Sequence, residues 1–323
     1  MKFLHYALFA VAGALCAAQY ASAQSYPSQP IRIVVPAPAG TSPDILARVY
    51  AAKLNEALGQ PVTVENVVGA AGIIGTDKVA KAPADGYTLL YGYSALVTLN
   101  PPLYPKLPYK PQQDLAPVAL ILNSTFMWIA SPNFAASSIG ELVSKAKAEP
   151  GRITYVTAGT GTAAHIGAVL LERKANIKLM HVPYKSSMVG TTDLMAGRVD
   201  IRLDPPATAL ELAKAGRVKV LAVSGPKRLS VLPDVPTVSE TIPGYSMTSF
   251  HGFWAPAGTP KDIVNRLNAA ITNITKTQDV QNRIAGYGLE PTSSTPEEMA
   301  ARIRMETEEM SDLIKAENIK PDN

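Results

Sequence analysis

Four short loops rich in glycine and hydroxyl side chains are the parts of this sequence best suited to chemistry. They are Pro38-Ala39-Gly40-Thr41-Ser42, Asn66 to Gly72, Gly92-Tyr93-Ser94-Ala95, and Thr157 to Thr162. Each ends a short run with strand character, and ligands of open α/β sheets bind beyond the carboxyl ends of the strands. A loop that leads from a strand into a helix presents backbone N–H groups at the positive end of the helix dipole. That setting favours anions, carboxylates included. The hydroxyls of Thr41, Ser42, Thr160 and Thr162 add short, adaptable donors. One such loop is usually a plain turn; several at corresponding strand ends point to a shared binding face.

Arg202 is the charged residue with most to say. It lies in Val199-Asp200-Ile201-Arg202-Leu203-Asp204, a strand-like run in which Arg202 and Asp204 share one face. A buried guanidinium needs a partner. Asp204 satisfies that need, and so does a ligand carboxylate held in bidentate fashion. Asp44 and Arg48, four apart on a helical stretch, read as a local ion pair. Aromatic residues gather in Phe126, Trp128, Phe250, Phe253 and Trp254; most read as packing, with one or two free to wall a cavity.

Enzyme signatures are missing. The chain has no G-x-x-x-x-G-K-[ST], no G-x-S-x-G and no H-E-x-x-H. Gly159-Thr160-Gly161-Thr162-Ala163-Ala164 loosely matches a dinucleotide fingerprint. The following strand runs into His181-Val182-Pro183-Tyr184-Lys185 and offers no acid for a ribose. His165, His181 and His251 do not sit at metal-ligand spacing, so structural roles are expected and no metal or cofactor is.

Lys2, the apolar stretch Phe3 to Tyr20 and Ala21-Ser22-Ala23 form the pattern of a secretory signal peptide cut before Gln24. The single cysteine, Cys16, falls inside it behind Leu15, which speaks against a lipid anchor. Beyond the cut no disulfide or thiolate is available. The remaining 300 residues suffice for two domains. The net charge of +4 contains no basic run, which leaves nucleic-acid and membrane-surface binding without support.

The elements that position the loops alternate. Ile31 to Val35, Val62 to Glu65 and Thr88 to Tyr91 read as strands, separated by helices over Ser42 to Leu58 and around Gly75 to Lys81. The pattern restarts with helix Ser138 to Ala148 and strand Ile153 to Val156. Helix Ala163 to Ala175, strand Leu179 to Val182, helix Thr191 to Ala196, strand Val199 to Leu203, helix Ala207 to Ala215 and strand Val218 to Val223 follow. This predicts two doubly wound α/β domains with mostly parallel sheets. Two segments cross between them, Val118 to Ala130 and Met247 to Ala255, and the helix-rich stretch Lys261 to Lys315 is expected to cap the first.

The ordered motifs resemble the periplasmic receptors of tripartite tricarboxylate transporters, often called Bug proteins, over essentially the whole chain after the leader. They are the run from Tyr26 to Pro36, Leu58-Gly59-Gln60-Pro61-Val62, Val64-Glu65-Asn66, Ala84 to Leu90, Asn100-Pro101, Leu103-Tyr104, Leu107-Pro108-Tyr109, His181 to Lys185, Leu232 to Val238 and Ala255 to Pro260. The resemblance implies a two-lobed Venus-flytrap fold, a carboxylate in the interdomain cleft and delivery to inner-membrane transporter subunits by a monomer without enzymatic activity. It places residues 24–124 and 248–323 in one domain and 125–247 in the other. It also implies that loop backbone groups and ordered waters hold one carboxylate, with Pro38 to Ser42 on the first lobe. On the second lobe it implicates Thr160-Gly161-Thr162, Tyr184-Lys185-Ser186 and Asp204. Tyr93, Ser94, His165, Ser187, Arg202, Phe250 and His251 complete the candidate contacts.

The chain departs from the family pattern at four places. Gly40-Thr41 replaces a double glycine, Ser186 a glycine, Arg202 an apolar residue, and Phe250-His251 a more apolar aromatic pair. The added polarity suggests a ligand with a second acidic end reached by Arg202 or His251. That would be a dicarboxylate, either aliphatic or aromatic such as a phthalate isomer. A carboxylate sensor module and a cleft enzyme acting on an organic acid are the alternatives.

Overall fold

The computed structural model describes residues 26–184 and 187–321. The expected leader 1–23, with Cys16, and the site positions Lys185 and Ser186 lie outside the described residues.

Buried β-branched runs and amphipathic stretches become two sheets flanked by helices. The strands are β1 (Ile31–Val35), β2 (Val62–Asn66), β3 (Thr88–Tyr93), β4 (Leu115–Thr125), β5 (Met127–Ala130), β6 (Thr154–Thr157), β7 (Met180–Pro183), β8 (Ile201–Asp204), β9 (Lys219–Val223), β10 (Thr248–Pro256) and β11 (Glu290–Pro291). The first sheet has the order β11-β4-β10-β3-β1-β2 and the second β7-β6-β8-β5-β9. In each, the strands that carry the loops of interest run parallel: β1 with β2 and β3, and β6 with β7 and β8. The strands next to the crossings are antiparallel.

The helices are α1 (Ser42–Leu58), α2 (Ile73–Ala80), α3 (Asn100–Leu103), α4 (Pro111–Asp114), α5 (Ile139–Ala148), α6 (Ala163–Ala175), α7 (Ser187–Met195), α8 (Pro206–Lys214), α9 (Lys261–Thr275), α10 (Gln278–Gly286) and α11 (Pro296–Ala316). Sequence chemistry sets their ends. Pro43 sits in the first turn of α1, where its missing N–H is harmless, and Gly59 closes the helix in a left-handed conformation with its N–H on Asn55 O. Leu46, Tyr50 and Leu54, four apart, form the buried face of α1. α7 starts at Ser187, earlier than the expected Thr191.

The long apolar run Val118 to Ala130 is two strands. β4 ends at Thr125 and β5 begins at Met127, so one residue, Phe126, carries the chain from sheet to sheet. The returning segment lies against it: Ser224 N–H donates to Phe126 O (2.9 Å), and Met247 N–H to Ser224 O (2.9 Å).

The late helices divide their burial. Leu267 and Ile271 of α9 join the core of the first sheet, while Met299 and Ile303 of α11 pack on that sheet's other side. Farther along α11, Leu313 and Ile314 pack with Trp128, Ile166 and Leu171 around the second sheet. The expectation that these helices cap only the first unit therefore holds for α9 but not for the end of α11, which reaches across. Replacing Leu313 by Ala should lower stability by about 2–5 kcal/mol through the cavity it leaves. Urea unfolding measures this, and a loss below about 0.5 kcal/mol, typical of surface sites, would show that this end of the helix is not anchored.

Candidate functional site

A cleft of about 850 Å3 lies between the two sheets. Thr41, Ser42, Tyr93, Ser94, Thr160, Gly161, Thr162 and His251 line it, so eight of the candidate residues come together. Three helices begin on its wall: α1 at Thr41 to Pro43, α6 at Thr162 and Ala163, and α8 at Pro205 to Ala207. Pro43 and Pro206 have no N–H and His165 N–H is capped by Thr162, so the first-turn donors on the wall without an intrahelical acceptor are those of Ser42, Ala163, Ala207 and Thr208. The cleft thus gathers the positive ends of three helix dipoles. Among the described residues no lysine or arginine lines it.

The α1 loop is held from behind. Asp44, 3% exposed, accepts hydrogen bonds from Gly40 N–H (2.8 Å), Arg48 Nε (3.2 Å) and Asn66 Nδ2 (2.9 Å). Thr41 donates its hydroxyl to Pro38 O (2.7 Å). Burial acts to raise the Asp44 carboxyl, but the bonds from Arg48, Gly40 and Asn66 outweigh it and hold the group below its usual value. Pro38, Ala39 and Gly40 are exposed and do not line the cleft; they shape the turn that places Thr41 and Ser42.

The α6 loop has its own support. Thr162 caps the helix by accepting from His165 N–H (3.4 Å) and donates to Gly159 O (2.8 Å). His165 points away from the cleft. Its Nδ1 accepts from Gly161 N–H (3.3 Å), and its ring lies 4.4 Å from that of His181, which stacks on Tyr155 at 4.8 Å. Gly161 needs to be glycine: its φ is +82°, and a Cβ there would lie 3.2 Å from Leu103 Cδ1 of α3. This contact brings the two units together at one edge of the cleft. At another edge a Cβ on Gly288 would clash with Leu210 Cδ1 of α8.

Several expected contacts are placed elsewhere. Arg202 is 5% exposed and does not line the cleft. Its Nη1 donates to Ser187 O (2.8 Å) and Thr191 Oγ1 (2.7 Å), its Nη2 donates to Ser187 Oγ, and its Nε lies 2.8 Å from Asp204 Oδ1. That last contact is an ion pair without hydrogen-bond alignment, and Asp204 Oδ2 has no hydrogen-bond partner among the described residues. Burial raises the Asp204 carboxyl to about 6, with Arg202 opposing. Of the two readings of Arg202, the structure selects the internal pair. Ser187 is exposed and is occupied with Arg202; Tyr184 donates its hydroxyl to Asp193 Oδ2 (2.6 Å). Phe250 is fully buried beside Trp254, with the Arg302 guanidinium 4.6 Å from its ring centroid. Alternation along β10 puts its neighbour His251 on the opposite face, and His251 does reach the cleft. Burial pushes the His251 imidazole down to about 4, and Nδ1 lies 3.1 Å from the Tyr91 hydroxyl. The ring is neutral at pH 7 and supplies no cation. In this structure neither Arg202 nor His251 therefore presents a cation to the cleft, against the expectation that one of them meets a second acidic end.

Sequence reasoning missed Asn100, Ser124, Ser249, Thr208 and the α11 residues Glu306 and Glu309, all of which line the cleft. Ser249 was within reach, two residues from His251 on the same strand face; its hydroxyl pairs with that of Ser94 at 2.8 Å. Of the aromatic group, Phe126 is the one on the cleft wall. Among the described residues, no three His, Cys, Asp or Glu side chains gather as a metal site, and no helix is long and apolar enough to cross a membrane.

Two α/β units joined by crossing segments, with strand ends and helix starts facing a shared cleft, define a two-lobed solute-binding protein. Residues 29–319 match the model of the tripartite tricarboxylate transporter family receptor. The chain is 37% identical over 292 residues to the UPF0065 protein in the tcbD-tcbE intergenic region of Pseudomonas sp. strain P51, covering 90% of this chain and 87% of that one. Among solved structures it resembles R. palustris Rpa4515 with adipate (TM-score 0.81, 30% identity, 91% of this chain and 99% of that one). It also resembles MatC (Rpa3494) from Rhodopseudomonas palustris with bound malate (TM-score 0.77, 30% identity, 90% and 100%). The chain belongs to the tripartite tricarboxylate transporter receptor family, whose members are periplasmic solute-binding receptors and not enzymes.

Two expectations follow from this geometry. Arg202→Ala should cost about 3–5 kcal/mol by leaving Asp204 buried and unpaired. Affinity for a bound carboxylate should stay within about twofold, since the residue touches no cleft group; a large affinity loss at intact stability would return Arg202 to the site. Asp44→Ala should cost about 1–3 kcal/mol at pH 7. Because the folded carboxyl titrates below its unfolded value of about 3.9, this contribution is fully present above about pH 4 and is lost as the pH falls through the lower folded value. Urea titrations of both proteins across that range should show the gap closing in acid.

Proposed function

We propose that this protein captures a small organic carboxylate in the periplasm and delivers it to the inner-membrane subunits of a tripartite tricarboxylate-type transporter. The observation that carries the reading is the convergence of the α1, α6 and α8 N-termini on one cleft with no lysine or arginine on its wall among the described residues. Fixed N–H groups and the hydroxyls of Ser42 and Thr160 bind an anion by direction as well as charge. Residues 24–124 with 248–323 and residues 125–247 act as two lobes that close by hinge motion at Phe126 and Met247. The Leu103–Gly161 and Leu210–Gly288 contacts belong to the closed form, and the protein works as a monomer. Expulsion of water on closure strengthens each N–H contact to the ligand.

A second reading, a dicarboxylate, is favoured by the adipate and malate of two similar proteins. In this reading the α1 terminus on one lobe and the α6 and α8 termini on the other each take one carboxylate.

A thermal-shift screen of the chain from Gln24 tests the carboxylate reading, with each acid paired against its amide. A ligand at about a hundred times its Kd adds about 2.7 kcal/mol to the folded state, enough to move the melting temperature by several degrees. Shifts with acids and none with the matching amides are expected; equal responses to both, or to neither, would defeat the reading.

A further inference from the structure

The hinge side of the cleft carries a chemistry of its own. Ser124, on β4 one residue before its end, is 5% exposed, lines the cleft, and has no side-chain partner among the described residues. Glu306 and Glu309 enter the same cleft from α11, one helical turn apart. The helix is fixed along the hinge strands by Arg302, whose Nη1 donates to Asn123 Oδ1 (2.6 Å) and whose guanidinium covers the Phe250 ring.

The charges there do not balance. Arg302 Nε donates to Glu306 Oε1 at 2.7 Å, so Arg302 offsets one carboxylate. Burial raises the Glu306 carboxyl, Arg302 lowers it, and the nearby charge of Glu309 raises it again. No lysine or arginine forms an ion pair with Glu309 among the described residues, and none lines the cleft. On this side of the cleft no helix N-terminus and, among the described residues, no cation stands ready for a second carboxylate: Arg202 is spent inside the second lobe, and His251 is neutral. A carboxylate brought to this side would face a like charge, whereas an ammonium or hydroxyl would find acceptors.

We propose that Ser124, Glu306 and Glu309 form a donor-selective end of the cleft, so that the preferred ligand is a carboxylate bearing an amino or hydroxyl group at its far end, in preference to the dicarboxylate of the same length. The proposal rests on the reading of the cleft as a carboxylate site and deepens it. The helix termini hold the acid end, Tyr93, Phe126 and Met247 cover the chain, and the glutamates select the other end.

Matched acids separate the possibilities: hexanoate, 6-aminohexanoate and adipate, together with butanoate, 4-aminobutanoate and succinate. Each is titrated calorimetrically into the wild type and into Glu309→Gln and Glu306→Gln/Glu309→Gln variants. The amino acid of at least one set should bind about tenfold or more tighter than its dicarboxylate, and the double variant should erase or reverse that order without weakening the monoacid. Tighter binding of the dicarboxylate by the wild type, or an order unchanged in both variants, would overturn the proposal while leaving the carboxylate reading intact. Failure of all six acids to bind would overturn both. Circular-dichroism melts of the variants, whose substitutions keep side-chain shape, confirm that an altered order does not come from unfolding.

Discussion

A single residue, Phe126, separates the strand that spans the first sheet from the strand that enters the second, and the arrangement of the cleft depends on that short passage. A backbone that leaves one sheet and joins another within one residue keeps the end of β4 next to the start of β5, so the two sheets meet where these strands leave and enter them. The return segment is hydrogen-bonded to it through Ser224 and Met247. With the crossings fixed, the carboxyl ends of β1 and β3 and those of β6 and β8 turn toward one shared space. Helix N-termini follow strand carboxyl ends in every parallel unit, so their dipoles point into that space as a consequence of topology.

For the proposed carboxylate, recognition without a cation among the described wall residues is a coherent solution in such a cleft. A lysine or arginine would bind many anions and would have to be desolvated at each closure. Backbone N–H groups at helix starts already lack acceptors, and they are aimed by structure that forms whether or not ligand is present. The supporting bonds make the aim rigid: Asp44 fixes the Gly40 turn, and Thr162 with the His165 ring, packed against His181, fixes the turn at Gly161. Where the protein does bury a guanidinium, at Arg202, the charge is absorbed by Asp204 and by groups of α7.

The strand and helix order, the leading loops and their hydroxyl residues were legible because each depends on near neighbours. Thr41 with Ser42, Tyr93 with Ser94, and Thr160 to Thr162 stand where a strand stops and a helix starts, a local pattern that alternation and turn chemistry reveal. Ser124, Ser249, Glu306 and Glu309 carry no such mark. They come from a crossing strand, a returning strand and the last helix, and nothing local says that these segments meet. The double allegiance of α11, to the first core at Ile303 and to the second at Leu313, was hidden for the same reason.

By itself the sequence determined the class of fold, the two units, and the loops whose backbone could face an anion, because periodicity and turn residues act over a few positions. It also determined that Arg202 and Asp204 share a face, but two partners satisfied the rule that a buried charge must be paired. Only the packing of α7 against β8 decided between them, by placing Ser187 and Thr191 within bonding distance of the guanidinium. Likewise, alternation required Phe250 and His251 to part, and only the side on which α11 packs decided that Phe250 is covered by Arg302 while His251 meets the cleft. Such choices rest on contacts between residues far apart in the chain, where no local physical rule reaches.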